Sequence, residues 1–137
     1  MDNLLIFGVG LIGGSIAIEC QKKQMFNHIV GVQREGGTSL SPFVSDGMID
    51  RVSDNLDDDI KQADFIVIAT PVAQIRNILT TISPSLSPKT IVIDVGSTKS
   101  NVMRFAKEVL KEKFPQFVGS HPIAGSEQHG PAAAKIN

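Results

Sequence analysis

Leu4-Leu5-Ile6-Phe7-Gly8-Val9-Gly10-Leu11-Ile12-Gly13-Gly14-Ser15 decides how this chain reads. The apolar run predicts a short buried strand, the glycines a turn, and Leu11 to Gln24 a helix. Gly8, Gly10 and Gly13 fit Gly-x-Gly-x-x-Gly. Each glycine has a physical task. Gly8 makes the tight turn off the strand, Gly10 lets the backbone approach a pyrophosphate, and Gly13 lets helix and strand pack closely. The helix starts where the anion would sit, so the free N–H groups around Leu11 and Ile12 and the helix dipole face negative charge. Glycines can also merely permit a bend. Here the pattern lies between an apolar strand and a helix, the context that a dinucleotide site requires.

The chain has 137 residues, enough for one domain with a real core. A net charge of −1 provides no broad basic field for nucleic acid or acidic lipid. Trp and Tyr are absent, which removes the usual base-stacking platforms, although seven Phe remain. Cys20 is the sole cysteine, so no disulfide forms within the chain and it reads as a small buried apolar group. Leu4 to Ile18 is uncharged, but it falls short of the ~20 apolar residues of a span. It also follows Asp2 rather than a basic residue, so no membrane segment and a cytoplasmic location are expected.

Onward from the first helix, His28–Val32 predicts a second strand, Gln33 to Ser41 a loop, and Phe43 to Ile49 a short helix. Arg51–Ser53 predicts a third strand. Asp57-Asp58-Asp59 opens a helical turn to Ala63, where acids would cap and solvate the positive end. Phe65–Ala69 and Thr90–Val95 are strands buried on both faces. Between them Val72 to Ile82 has helical spacing. A further helix from about Ser100 to Lys113 leads to a last strand at Phe117–Gly119. Strands alternating with helices call for a doubly wound, mainly parallel α/β sheet, a Rossmann-type dinucleotide-binding fold.

Twenty residues beyond Gly13 stands Gln33, where an acid would signal NAD. Arg34 follows and can pair with a 2′-phosphate, with Thr38 and Ser39 as further donors, so NADP is preferred and NAD remains possible. Glu35 is a competing carboxylate, and Arg34 and Glu35 also read as ordinary solvated loop charges.

Ligands of open α/β sheets sit beyond the carboxyl ends of the strands. Thr70-Pro71, Ser97, His121 and Glu127 all leave the predicted strands at that edge. His121 is the acid–base candidate, against a histidine that only orders its loop. Ser97 can orient that histidine or bind substrate, and equally can cap a helix. Asp94 and Lys99 suit a local ion pair. His28 reads as structural, and nothing is assigned to His129. No spacing suggests a metal site.

Gly8–Ser15, Ala69-Thr70-Pro71, Asp94-Val95-Gly96-Ser97-Thr98-Lys99 and His121-Pro122-Ile123-Ala124-Gly125-Ser126-Glu127-Gln128-His129-Gly130 together resemble the prephenate/arogenate dehydrogenase family of tyrosine biosynthesis. The resemblance implies oxidative decarboxylation of prephenate or arogenate. His121 matches the catalytic histidine that engages the ring hydroxyl, Ser97 the serine that holds it, and Glu127 an acid at the pocket mouth. It also implies homodimers formed through a helical domain, which supplies an arginine for the substrate carboxylate. That domain is not found in residues 1–137, so the chain is expected to be a dinucleotide-binding domain, incomplete at its C-terminal end, that binds cofactor without turnover. The rivals are another nicotinamide-dependent oxidoreductase and a nucleotide-sensing module without chemistry.

Overall fold

The computed structural model describes residues 2–34, 36–37, 39–95 and 99–119. The elements are β1 (Asn3–Phe7), α1 (Leu11–Lys22), β2 (His28–Val32), α2 (Ser41–Ser45), β3 (Arg51–Val52) and α3 (Leu56–Gln62). They continue with β4 (Phe65–Ile68), α4 (Val72–Ile82), β5 (Ile91–Asp94), α5 (Lys99–Leu110) and β6 (Phe117–Gly119). The six strands are all parallel and run in the order β3-β2-β1-β4-β5-β6. The chain builds outward from β1 in one direction, then returns to lay β4 on its other side. The doubly wound prediction holds.

The strand alternation explains the two layers. Leu5, Phe7, Ile66, Ile68, Val92 and Phe117 point to one face, where Ile60 of α3, Ile75, Leu79 and Ile82 of α4, and Val102, Ala106 and Leu110 of α5 cover them. Leu4, Ile6, Ile29 and Val67 point to the other, against Ala17 and Cys20 of α1. Strands buried on both sides cannot alternate polar with apolar residues, hence their continuous apolar runs. Cys20 is buried as expected, and burial raises its thiol pKa.

Element ends depart from the sequence reading for identifiable reasons. α1 stops at Lys22 rather than Gln24 because Gln24 turns left-handed (φ 52°) and Met25 N–H donates to the Cys20 carbonyl. α2 spans Ser41–Ser45 rather than Phe43–Ile49. Pro42 suits its first turn, and Gly47 at φ 78° follows its end. α5 ends at Leu110 because Lys111 turns left-handed (φ 51°), and Lys111–Gln116 follows as a 3₁₀ segment containing Pro115.

The triple acid is corrected more substantially. The cap of α3 is Asn55, whose side chain accepts from Asp58 N–H at 3.2 Å. Asp59 is buried and accepts from Arg51 Nη2 at 2.6 Å, Arg51 Nη1 at 3.2 Å and Ser53 Oγ at 2.5 Å. Burial pushes its carboxyl upward, but the Arg51 and Ser53 hydrogen bonds outweigh that, and the pKa falls below the usual carboxylate value. Asp59 therefore ties the short edge strand β3 to α3. Nearby, Asp64 accepts from the backbone N–H groups of Asp2 and Asn3, both at 3.0 Å, and pairs with Lys89 at 3.4 Å. The Asn3 amide leads the causes that lower its pKa. The amino edge of the sheet is thus closed by side chains.

Candidate functional site

The opposite edge is built differently. β1 and β4 are adjacent although α1, β2, α2, β3 and α3 intervene in sequence, so their carboxyl ends flank the point where strand order reverses. Ala69 N–H donates to Phe7 O at 2.8 Å and Val95 N–H to Ile68 O at 3.0 Å, which keeps the three strand ends flush. Such a reversal leaves a crevice between helices lying on opposite faces.

The glycine turn forms one wall. Gly8 adopts φ 89°, and a Cβ there would stand 2.7 Å from the Ala69 carbonyl oxygen. A Cβ on Gly13 would lie 2.1 Å from the Gly8 carbonyl oxygen, so α1 can start this close to β1 only with glycine. Gly10 is different, for a Cβ there would meet no described atom within 4 Å. Its bare backbone borders open space at the head of α1. Gly10 also serves as N-cap without a side-chain hydrogen bond, and the first turn holds no acid. The early amides of Leu11 and Ile12 therefore have no side-chain acceptor from the cap residue.

The second wall is Ala69-Thr70-Pro71. Pro71 caps α4 with an extended backbone (φ −56°, ψ 148°). Thr70 precedes it, with its methyl group 2.9 Å from where a Gly8 Cβ would stand. The Thr70 hydroxyl oxygen is buried and makes no hydrogen bond among the described residues. An isolated buried hydroxyl costs about 1–3 kcal/mol, so fold stability alone does not account for it. A ligand with phosphate or ribose oxygens would satisfy it.

The third part is the loop after β2. Arg34 is exposed, and no described acid lies within ion-pair distance of it. Ser39 Oγ accepts from Ser41 N–H at 3.2 Å, so this hydroxyl helps start α2. Gln33 accepts from Leu40 N–H at 2.8 Å and donates to Arg34 O at 3.2 Å. That double engagement was not legible in the sequence, where Gln33 registers only as the residue in place of an acid.

Thr38, Ser97, His121 and Glu127 lie outside the described residues, as do Glu35 and any Asp94–Lys99 pairing. The strands that lead toward Ser97 and His121 are described. β5 and β6 are neighbours, with Asp94 in register with Gly119, and Asp94 is fully buried. His28 begins β2 at the far edge of the sheet, away from the crevice. Among the described residues no group of three or more His, Cys, Asp or Glu could hold a metal. No described helix is long and apolar enough to cross a membrane.

A backbone cradle at a helix start, a buried hydroxyl beside it and a reversed strand order fit a dinucleotide. Comparison with known proteins agrees. The family model for the nucleotide-binding domain of prephenate dehydrogenase matches residues 16–137. The chain belongs to this family. Prephenate dehydrogenase of Bacillus subtilis is 38% identical over 135 residues, covering 98% of this chain and 36% of the relative. Prephenate dehydrogenase from A. aeolicus, solved in complex with hydroxyphenyl propionate and NAD+, superposes with a TM-score of 0.78 at 33% identity. That match covers 96% of this chain and 45% of the other. Synechocystis arogenate dehydrogenase gives 0.72 at 28% identity, covering 97% and 45%. The chain thus spans less than half the length of each of these proteins.

Proposed function

We propose that this chain is the cofactor-binding half of an NADP-preferring dehydrogenase that oxidatively decarboxylates prephenate or arogenate. The observation that carries the cofactor reading is the unpartnered Thr70 hydroxyl beside the open backbone of Gly10. In this reading Gly8, Gly10, Leu11, Ile12 and Gly13 hold the pyrophosphate, and Thr70 and Pro71 border the bound dinucleotide from β4. Arg34, with Thr38 and Ser39, takes the 2′-phosphate. A glutamine in place of the acid of NAD-binding chains, followed by the exposed guanidinium of Arg34, supports NADP.

The bound nicotinamide supplies a hydride acceptor. His121, as a neutral imidazole, accepts a hydrogen bond from the ring hydroxyl and holds electron density on that oxygen while its carbon loses hydride. Ser97 fixes the imidazole and the hydroxyl relative to each other. Glu127 is the motif match to an acid at the pocket mouth. The bond to the ring carboxylate then breaks, its electron pair enters the ring, and carbon dioxide leaves an aromatic phenol. The roles of Ser97, His121 and Glu127 rest on the motif match.

The deciding experiment titrates the chain with NADP+ and NAD+ and then assays hydride transfer from prephenate and from arogenate. The assay is run on this chain and on a polypeptide of the relatives' full length. Tighter binding of NADP+ is expected, with turnover only in the longer protein. His121→Ala in the longer protein should retain dinucleotide affinity and lose turnover. Retained turnover would sink the assignment of the histidine, and full function without any turnover would point instead to a nucleotide sensor.

A further inference from the structure

Gln33 stands where an acid would hold the adenosine ribose, yet its carboxamide is occupied within the chain. Its Oε1 accepts from Leu40 N–H at 2.8 Å and its Nε2 donates to Arg34 O at 3.2 Å. The same Arg34 carbonyl accepts from Gly37 N–H at 2.9 Å. One side chain therefore joins both ends of the 33–40 loop and braces the turn that begins at Arg34.

Each end of the loop is anchored in turn. Leu40 is buried, with its Cδ1 3.2 Å from where a Cβ on Gly31 of β2 would stand. The glycine in the strand thus leaves room for the leucine that closes the loop. At the other end, the turn that begins at Arg34 brings Gly37 under the arginine. A Cβ there would lie 3.3 Å from Arg34 Cβ and 3.5 Å from Arg34 Nε. The turn lets the arginine stem fold across it, while the side chain stays exposed.

We propose that Gln33 is a positioning residue for the choice between dinucleotides: its side-chain amide clasps the 33–40 loop and so fixes where Arg34 presents its guanidinium. The inference rests on the NADP reading above and deepens it. An arginine binds a phosphate well only when its fork is already oriented, because its long side chain otherwise loses rotamer freedom on binding. The clasp holds the backbone from which that side chain springs. Gln33 thus acts through Arg34, not by touching the ribose itself.

The test is a double-mutant cycle of Gln33→Met and Arg34→Ala, read as the ratio of NADP+ to NAD+ dissociation constants by titration. Amide exchange at Leu40 and the unfolding temperature are measured alongside. Gln33→Met is expected to deprotect the Leu40 amide and to cut the NADP+ preference on the order of tenfold, with NAD+ affinity within about twofold. In the Arg34→Ala background the same substitution should leave the ratio unchanged. An unchanged ratio in Gln33→Met, an effect that persists without Arg34, or a variant that simply unfolds would each overturn the clasp. A wild-type chain that favours NAD+ would instead overturn the NADP reading and the clasp with it.

Discussion

The two edges of this sheet treat their polar groups in opposite ways. At the amino edge, Asp64 is held by two backbone amides and Lys89, Asp50 accepts from Ile29 N–H, and Asp59 is shared between Arg51 and Ser53. At the carboxyl edge, among the described residues, the helix start has no capping side chain, nothing covers Gly10, and a buried threonine hydroxyl has no partner. Both edges are products of the same strand ladder. The difference teaches that the fold is fastened at one end of its strands so that the other can be left incomplete for a ligand.

The sharpest way to break that contrast is Gly13→Ala. Its Cβ would collide with the Gly8 carbonyl oxygen at 2.1 Å, a backbone atom that cannot swing aside. Relief requires moving α1 off β1, which should cost about 2–4 kcal/mol and roughly 100-fold in dinucleotide affinity. Thermal unfolding and titration with NADP+ check both. Unchanged affinity would show that the turn is not the cradle.

Thr70→Val sharpens the contrast because its two effects have opposite signs. Replacing the unpaired hydroxyl with a methyl should stabilise the ligand-free chain by about 1 kcal/mol, while dinucleotide binding weakens about fivefold. Denaturant midpoints and titration of the same preparation read the two. A loss of stability would mean that the hydroxyl serves the fold after all.

The amino edge yields the smallest effect, and it depends on pH. The folded pKa values of Asp59 and Asp64 are both lowered, so their stabilisation is complete above the unfolded carboxylate value near ~4 and disappears as pH falls through the folded values. Urea midpoints should therefore drop below about pH 4, and Asp59→Asn should flatten part of that slope. Because Arg51 is half-exposed, solvent screens the pair and the substitution should cost only about 1 kcal/mol at pH 7. Dinucleotide affinity should not change. A binding defect in this variant would mean that the two edges are coupled.

Much of the architecture was legible because it comes from periodicity and glycine chemistry. The apolar runs at Leu4–Phe7 and Phe65–Ile68 can be satisfied only between two layers, and Gly8, Gly10 and Gly13 dictate a tight turn and a closely packed helix after β1. Pairing across distance escaped. Asp59 looked like one of three equivalent acids, but Arg51 of β3 and Ser53 just after it select it. Gln33 looked like a missing acid, yet its partner is Leu40. Neither partner can be read from local pattern, because both depend on where the chain returns. Of the candidate site, the glycine turn, Thr70, Pro71, Arg34 and Ser39 fall at the described carboxyl edge or in the loop after β2.

The pairing of β1 with β4 sets Leu4 beside Phe65 and Phe7 beside Ile68. The crevice therefore has no existence in the first strand–helix–strand unit, however well the glycine turn is formed there. During synthesis the ribosome must release the chain through Pro71 before both walls can meet. A dinucleotide can consequently touch both walls at once only after β4 has taken its place beside β1.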